Sequence, residues 1–81
     1  MVERAGQRPN LRQLRILLLL HDGHTDQQIA EQLYLGIRTV EREIGRLMEM
    51  SGTRTRFSLG AAASRLGWLH SPTGAASGRP L

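Results

Sequence analysis

The chain has 81 residues, with 11 basic side chains against 7 acidic ones and a formal net charge of +4. This length suits one small domain, whose core is marginal in size without help from a partner. Cysteine is absent, which excludes disulfides and thiolate metal sites, and no apolar run is long enough to span a membrane. No secretory signal is recognisable either, so we expect a cytoplasmic protein.

All 11 basic side chains are arginine. An arginine-rich, basic chain favours contact with nucleic acid. A GC-rich genome, in which arginine codons displace lysine codons, would produce the same bias and accounts for most of it.

The first nine residues are polar and include Gly6 and Pro9, which predicts a flexible arm or linker over 1–9. Arg4 and Arg8 could touch DNA as an arm does, although a solvated tail is the simpler interpretation.

A first helix is predicted from Leu11 to about His21, with Asn10 as its N-cap, Gln13 as the capping-box partner and Gly23 as its stop. Its core side chains are expected to be Ile16, Leu17, Leu19 and Leu20.

Leu11, Leu14 and Leu18 form a second apolar stripe on this helix, roughly opposite Ile16 and Leu20. A small domain has one core, so the second stripe should be partly exposed. We therefore expect Leu14 and Leu18 to form a partner interface. The alternative is that the fourth helix or the N-terminal arm covers them.

The stretch 25–50 has the pattern of two helices joined by a tight turn. Thr25 and Gln28 form a capping box for the second helix, whose inner side chains are Ile29, Ala30 and Leu33. The turn runs from Tyr34 to Gly36, and Gly36 is a weak N-cap for the third helix.

The third helix, about 37–50, has two contrasting faces. The core face contains Ile37, Val40, Ile44, Leu47 and Ser51, and the opposite face contains Arg38, Arg42, Gly45 and Glu49, flanked by Thr39, Glu41 and Arg46. Arginine can hold phosphate oxygens or guanine edges with two hydrogen bonds. The alternative is a solvated surface helix, because its three arginines and three glutamates nearly balance.

A fourth helix is predicted from its N-cap Thr55 to Leu66, with Gly67 at C′ and Trp68 folding back on Ala63. Its small residues would allow close approach of another helix, so we expect a weak two-fold dimer on DNA through Ala61, Ala62 and Ser64. These small residues could instead fit under the first helix of the same chain. Residues 70–81 are rich in Ser, Pro, Gly and Ala, which predicts a flexible tail.

His21, Asp22 and His24 could suggest a metal site, but a fourth ligand at sensible spacing is missing, and surface loop residues are the better interpretation. No nucleophile, histidine and acid arrangement and no phosphate-binding glycine loop stands out. We expect no cofactor, no metal and no enzymatic activity.

Taken together, these segments resemble the LuxR-type (NarL/GerE-type) helix-turn-helix domain of bacterial transcriptional regulators over residues 10–69. The matching residues are Ile29-Ala30-Glu31 with Leu33, Arg38-Thr39-Val40-Glu41-Arg42, Gly52, Arg56 and the final Arg65-Leu66-Gly67. The chain departs from the family pattern at Gln13, Glu41, Glu43, Arg46 and Ser51, where the family usually or often has Glu, Lys, His, Asn and Leu.

The resemblance implies an all-α, four-helix helix-turn-helix domain that binds double-stranded DNA sequence-specifically, with the fourth helix as dimer interface. Side chains entering the major groove would be Arg38, Thr39, Arg42, Gly45 and Arg46, and those holding phosphates would be Arg54, Thr55 and Arg56. Regulators of this type usually carry an upstream regulatory domain, which the chain could meet as a partner.

Two alternatives stay open. Region 4 of a sigma factor shares this helix-turn-helix, although it usually lacks a further helix ending in Arg-Leu-Gly. A protein-interaction module could use the same fold without DNA, which Glu41, Glu43 and the unusually apolar first helix would favour.

Overall fold

The computed structural model describes residues 8–69, and within them it contains four helices and no strand. In chain order these are α1 (Leu11–His21), α2 (Asp26–Leu33), α3 (Ile37–Ser51) and α4 (Arg56–Arg65). The predicted all-α, four-helix fold is thereby confirmed. The expected tail over 70–81 and most of the expected arm, 1–7, lie outside the described residues.

Two helices begin at the capping boxes that the sequence predicts. The Asn10 side chain accepts a hydrogen bond from the Gln13 N–H at 2.8 Å, and the Gln13 side chain accepts one from the Asn10 N–H at 2.9 Å. Thr25 and Gln28 repeat this exchange at 3.1 and 2.9 Å. Each box satisfies two backbone donors at a helix start, which fixes where α1 and α2 begin.

The C-terminal ends of all four helices use residues with positive φ, and Gly23, the predicted stop of α1, follows that helix at φ 100°. Tyr34 closes α2 at φ 57°, Gly52 closes α3 at φ 72° and Gly67 follows α4 at φ 80°. Helix α4 ends at Arg65, one residue before the predicted Leu66. The Trp68 N–H donates to the Ala63 carbonyl at 2.9 Å, as the sequence predicts, and its ring is buried.

The core lies around α3, which packs against each of the other three helices. The side chains that are fully or almost fully buried there are Ile16, Leu17, Ile29, Val40, Ile44, Leu47, Leu59, Ala62 and Ala63. The assignment of Ile37 to the core is wrong, because 39% of it is exposed. Ile37 begins α3, one turn before Val40, which is the first fully buried residue of that helix.

Ser51 lies at the end of the core face of α3, as the sequence predicts, and a hydroxyl on that face needs a hydrogen-bond partner. Its Oγ donates to the Met48 carbonyl at 3.2 Å and lies 2.8 Å from the Thr53 hydroxyl. Both contacts satisfy the half-buried hydroxyl locally, so the fold accommodates serine at this position.

The second stripe of α1 is only partly covered. Leu11 is 64% and Leu18 42% exposed, whereas Leu14 is half-buried against the core cluster. The expectation of partial exposure is confirmed for the stripe, but Leu14 also contributes to the core.

No helix of the described part is long and apolar enough to cross a membrane.

Candidate nucleic-acid interface

The outward face of α3 presents arginines around a glycine. Arg38, Arg42 and Arg46 are exposed, and Gly45 lies among them on the same side of the helix. The opposite side holds Val40, Ile44 and Leu47, each at most 1% exposed. Burial of one face fixes the orientation of the helix, so the arginine face is held towards solvent.

The charge of this face is more positive than the sequence suggests. Glu41 and Glu49 are exposed, but Glu43 is buried at 5% exposure and does not contribute to the outward surface. Three arginines of α3 are therefore exposed against two glutamates. Arg38 and Arg42 form no ion pair with any side chain of the described part.

Glu43 is the centre of a buried polar cluster that the sequence reasoning missed. Its Oε1 accepts a hydrogen bond of 3.0 Å from Nε2 of Gln13, which is also buried. Its Oε2 lies 3.7 Å from Arg12 and 3.8 Å from Arg46. Glu43 thus holds one of the outward arginines on its own helix. The sequence signal was that Gln13 and Glu43 both differ from the usual residues of the domains which the sequence resembles.

Gly45 has no packing reason to be a glycine. A Cβ atom added at this position would meet nothing within 4 Å. Glycine inside a helix costs about 1 kcal/mol relative to alanine. The monomer therefore carries an uncompensated cost in the middle of the arginine face.

All three residues predicted to hold phosphates are exposed, but Arg56 is paired with another side chain of the domain. Arg54 and Thr55 are exposed, and the Thr55 side chain also caps α4 by accepting from the Ser58 N–H at 3.0 Å. Arg56 is instead engaged by Asp26, to which Nη1 and Nη2 donate at 2.6 and 2.7 Å. Each terminal nitrogen of Arg56 thus has a hydrogen bond to Asp26, and the role of Arg56 as a phosphate ligand stays a prediction.

The Arg56–Asp26 pair joins the start of α4 to the start of α2. The two hydrogen bonds from Arg56 hold the pKa of Asp26 below its usual value, against the opposing effect of burial. The same hydrogen bonds raise the pKa of Arg56. Both groups are therefore charged at neutral pH, and the pair fixes the loop before α4 relative to the helix-turn-helix.

The small residues of α4 divide between the core and the surface. Ala61 and Ser64 are exposed, as expected for an interface, but Ala62 is completely buried. Its assignment to the dimer interface is wrong, because Ala62 packs inside the monomer. Phe57, which is 88% exposed, was missed. Its spacing in the sequence could have identified it, because Phe57, Ala61 and Ser64 lie on one helix face at intervals of four and three residues.

A groove of about 490 Å³ lies beside this face of α4, between it and the C-terminal half of α1. Its principal apolar lining residues are Leu17, Leu20, Phe57, Leu59 and Ala61. An open apolar groove next to an exposed aromatic ring is a typical site for docking another surface.

The loop after α1 gives no sign of a metal centre. The His24 Nδ1 lies 3.1 Å from the Leu19 carbonyl oxygen and 3.8 Å from the Asp22 carboxylate. Within residues 8–69, no three side chains of the ligand types His, Cys, Asp and Glu come together.

No protein-family model, no curated protein and no solved structure matches this chain.

Proposed function

We propose that the chain binds double-stranded DNA sequence-specifically as the helix-turn-helix domain of a bacterial transcriptional regulator of LuxR type. The observation that carries this proposal is the outward face of α3, on which exposed arginines surround an unpacked glycine. Helix α3 follows a tight turn after α2, which is the order of the recognition helix in this motif.

The dimensions of α3 suit the major groove. Its 15 residues span about 22 Å, and the groove of B-form DNA is about 12 Å wide, enough to admit a helix. Arg38 and Arg42 are free of ion pairs among the described residues, so both guanidinium groups are available for guanine edges or phosphates. Thr39 is half-buried and would contribute at the edge of the contact.

Gly45 gives this proposal a steric reason. A glycine that the monomer does not need, in the middle of the exposed face, allows the helix backbone to approach a surface closely. A DNA groove is such a surface, whereas solvent requires no glycine at all.

The contacts outside the groove follow from the loop before α4. Arg54 and Thr55 would hold phosphates, while the Arg56–Asp26 pair positions this loop. Arg46 has a dual role in this proposal, because Glu43 holds it in the monomer at 3.8 Å while its exposed end reaches towards DNA.

Dimerisation on DNA is proposed through α4, with Phe57, Ala61 and Ser64 as its outward face. In a two-fold dimer each Phe57 ring would enter the partner's apolar groove beside α4. The groove and one ring per protomer form a small interface, which suits a dimer that is stable only when both copies bind adjacent half-sites.

A protein-interaction module is the competing proposal, and the exposed Phe57 is the observation that favours it. The glutamates of α3 support the interaction module less than the sequence suggests, because Glu43 is buried and cannot contribute to an acidic docking surface. The dependence of binding affinity on salt concentration distinguishes the two functions. Affinity for DNA falls with a slope of about −0.9 per phosphate contact in a plot of log affinity against log salt, and docking of apolar surfaces responds little.

The test is selection of bound sites from random DNA, followed by fluorescence anisotropy with the selected site and with random DNA. Arg42→Ala should weaken binding to the selected site by about 1–3 kcal/mol and relax the preference at one base position. Arg65→Ala is the matched control, since Arg65 is an exposed arginine at the end of α4 and does not belong to α3. If no sequence is enriched, or if salt has no effect on binding, the proposal is wrong.

A further inference from the structure

A second groove, distinct from the arginine face of α3 and from the groove beside α4, lies at the N-terminal half of α1. It has a volume of about 290 Å³ and is lined by Leu11, Arg12, Arg15, Leu33 and Leu35. Leu33 is the last residue of α2, Leu35 lies in the turn before α3, and both are half-buried. The groove therefore has an apolar floor with two arginines at its edge.

The apolar surface continues along α1 beyond the groove. Leu18, 42% exposed, follows Leu11 by seven residues, with the exposed Arg15 between them. This spacing places Leu11, Arg15 and Leu18 on one side of the helix. The groove and Leu18 together are called the α1 surface below.

The charge of the α1 surface is positive. Arg15 forms no ion pair within residues 8–69. Arg12 lies 3.7 Å from Glu43, but this carboxylate is buried and also lies 3.8 Å from Arg46. One carboxylate thus faces two arginines, which leaves positive charge beside the apolar floor.

We propose that the α1 surface docks an acidic amphipathic helix of a partner protein. Leucines of such a helix, spaced by three and four residues, would enter the groove and cover Leu18, and its carboxylates would face Arg12 and Arg15. This pattern of apolar floor and basic edge complements the two faces of that helix.

A second copy of the chain suits this surface poorly. A two-fold interface brings the same patch together from both protomers, so Arg12 and Arg15 would face the partner's identical arginines. Opposed like charges disfavour such a contact. DNA suits it poorly too, because phosphates would gain nothing from exposed leucines. The inference uses residues outside the proposed DNA face and does not depend on DNA binding.

The experiment uses the full chain and a fluorescein-labelled peptide of about 14 residues, with leucines spaced by four and three and glutamates on both flanks. Anisotropy should show saturable binding with a Kd in the micromolar range. Arg15→Glu and Leu18→Gln should each weaken it about tenfold, whereas Arg65→Glu, the same charge change on α4, should alter it less than about twofold. Circular dichroism of each variant checks folding.

A charge-swapped peptide makes the test specific. The peptide with lysines in place of its glutamates should bind the unaltered chain at least about tenfold more weakly and should bind Arg15→Glu better than the acidic peptide does. Arg42→Ala should leave peptide binding unchanged, which separates this inference from the proposed DNA contact.

Several results would overturn the inference. These are no saturable binding of the acidic peptide, equal binding of both peptides, equal losses from Arg15→Glu and Arg65→Glu, or a gain of about tenfold in peptide affinity when residues 1–7 are removed. The last result would mean that the chain's own N-terminal segment fills the groove. Loss of self-association in Leu18→Gln, seen by sedimentation, would assign the surface to a second copy and would equally overturn it.

Discussion

Gln13 of α1 and Glu43 of α3, 30 residues apart in the chain, share a hydrogen bond of 3.0 Å inside the domain. Both side chains are buried, and both differ from the Glu and His that are usual in the LuxR-type domains which the sequence resembles. An amide can donate to a buried carboxylate, whereas a second carboxylate would repel it. The amide of Gln13 thus compensates for the burial of the Glu43 carboxylate.

Gln13→Glu should destabilise the protein at neutral pH by about 2–4 kcal/mol, because it buries two carboxylates side by side. Adding Glu43→His should recover most of this loss, since an imidazole can donate to the new carboxylate. Urea unfolding followed by circular dichroism measures both variants.

Gln28→Glu is the matched control for that experiment. Gln28 has the same capping-box role in α2 as Gln13 has in α1, but it is exposed. Its replacement should change stability by less than about 0.5 kcal/mol. Equal losses at the two positions would contradict the proposed compensation between Gln13 and Glu43.

Stability should also depend on pH through the Arg56–Asp26 pair. The pKa of Asp26 is lower in the folded chain, so its contribution is complete above the unfolded value of about 3.9 and is lost as the pH falls through the folded value. Asp26→Asn should cost about 1 kcal/mol at pH 7 and nothing below both pKa values.

Asp22→Asn serves as its control, because this carboxylate is 76% exposed and its ion-pair partner, His24, lies 3.8 Å away. Thermal unfolding over the acid range should then show a smaller pH-dependent loss for Asp26→Asn than for Asp22→Asn. If the two variants follow the same pH profile, the pair adds nothing to stability.

The helix boundaries and caps were predictable because they depend on neighbours in the chain. Asn10, Thr25 and Thr55 each accept from a backbone N–H three residues later, and such a pattern is visible in sequence. The apolar inner faces of α1 and α3 followed from helical spacing for the same reason, apart from the exposed Ile37, whereas the burial of Gln13 and Glu43 did not.

The pairs that join helices were not predictable, because they depend on how the helices pack. Arg56 was expected to hold phosphate, and its pairing with Asp26 joins residues 30 positions apart. Ala61 and Ala62 are neighbours of identical chemistry, yet one is exposed and the other buried. Which of the two is buried depends on the side of α4 that packs against the core.

Replacing Tyr34 with glycine should stabilise the folded protein. It is the one residue other than glycine with positive φ in the described part, at φ 57°, and its side chain is 94% exposed, so burial offsets little of the strain. Tyr34→Gly should raise the free energy of unfolding by about 0.5–1 kcal/mol, after allowing for the added freedom of the unfolded chain.

Tyr34→Ala is the control for that change, because it removes the ring but keeps the strained backbone, and it should leave stability nearly unaltered. Chemical denaturation compares the three proteins. A gain of the same size from alanine would show that the exposed ring, rather than the positive φ, is the source of the cost.

The proposed dimer predicts opposite results at neighbouring positions of α4. Ala62→Glu places a charge in the core and should unfold the chain. Ala61→Glu and Phe57→Ala alter exposed residues, so both should stay folded while cooperative binding to DNA with two half-sites falls about tenfold or more. Circular dichroism and anisotropy with one and two half-sites measure this, and unchanged cooperativity in both exposed variants would exclude an α4 dimer.

Gly45→Ala should make the protein more stable and a weaker DNA binder. The added methyl meets no atom within 4 Å, and replacing a mid-helix glycine should raise the free energy of unfolding by about 1 kcal/mol. The same methyl would stand between α3 and the groove wall, so affinity for the selected site should fall although the fold is improved.

Gly60→Ala separates these two effects. Gly60 lies inside α4 and also has open space around the added methyl, so it should give a similar gain in stability. Because Gly60 is not on α3, affinity for a single half-site should stay unchanged in this variant. If Gly45→Ala binds that half-site as tightly as Gly60→Ala, the backbone of α3 does not approach DNA closely at Gly45. Gly45 would then have no steric role in DNA binding, and the arginine face would contact DNA through side chains such as Arg38 and Arg42 alone.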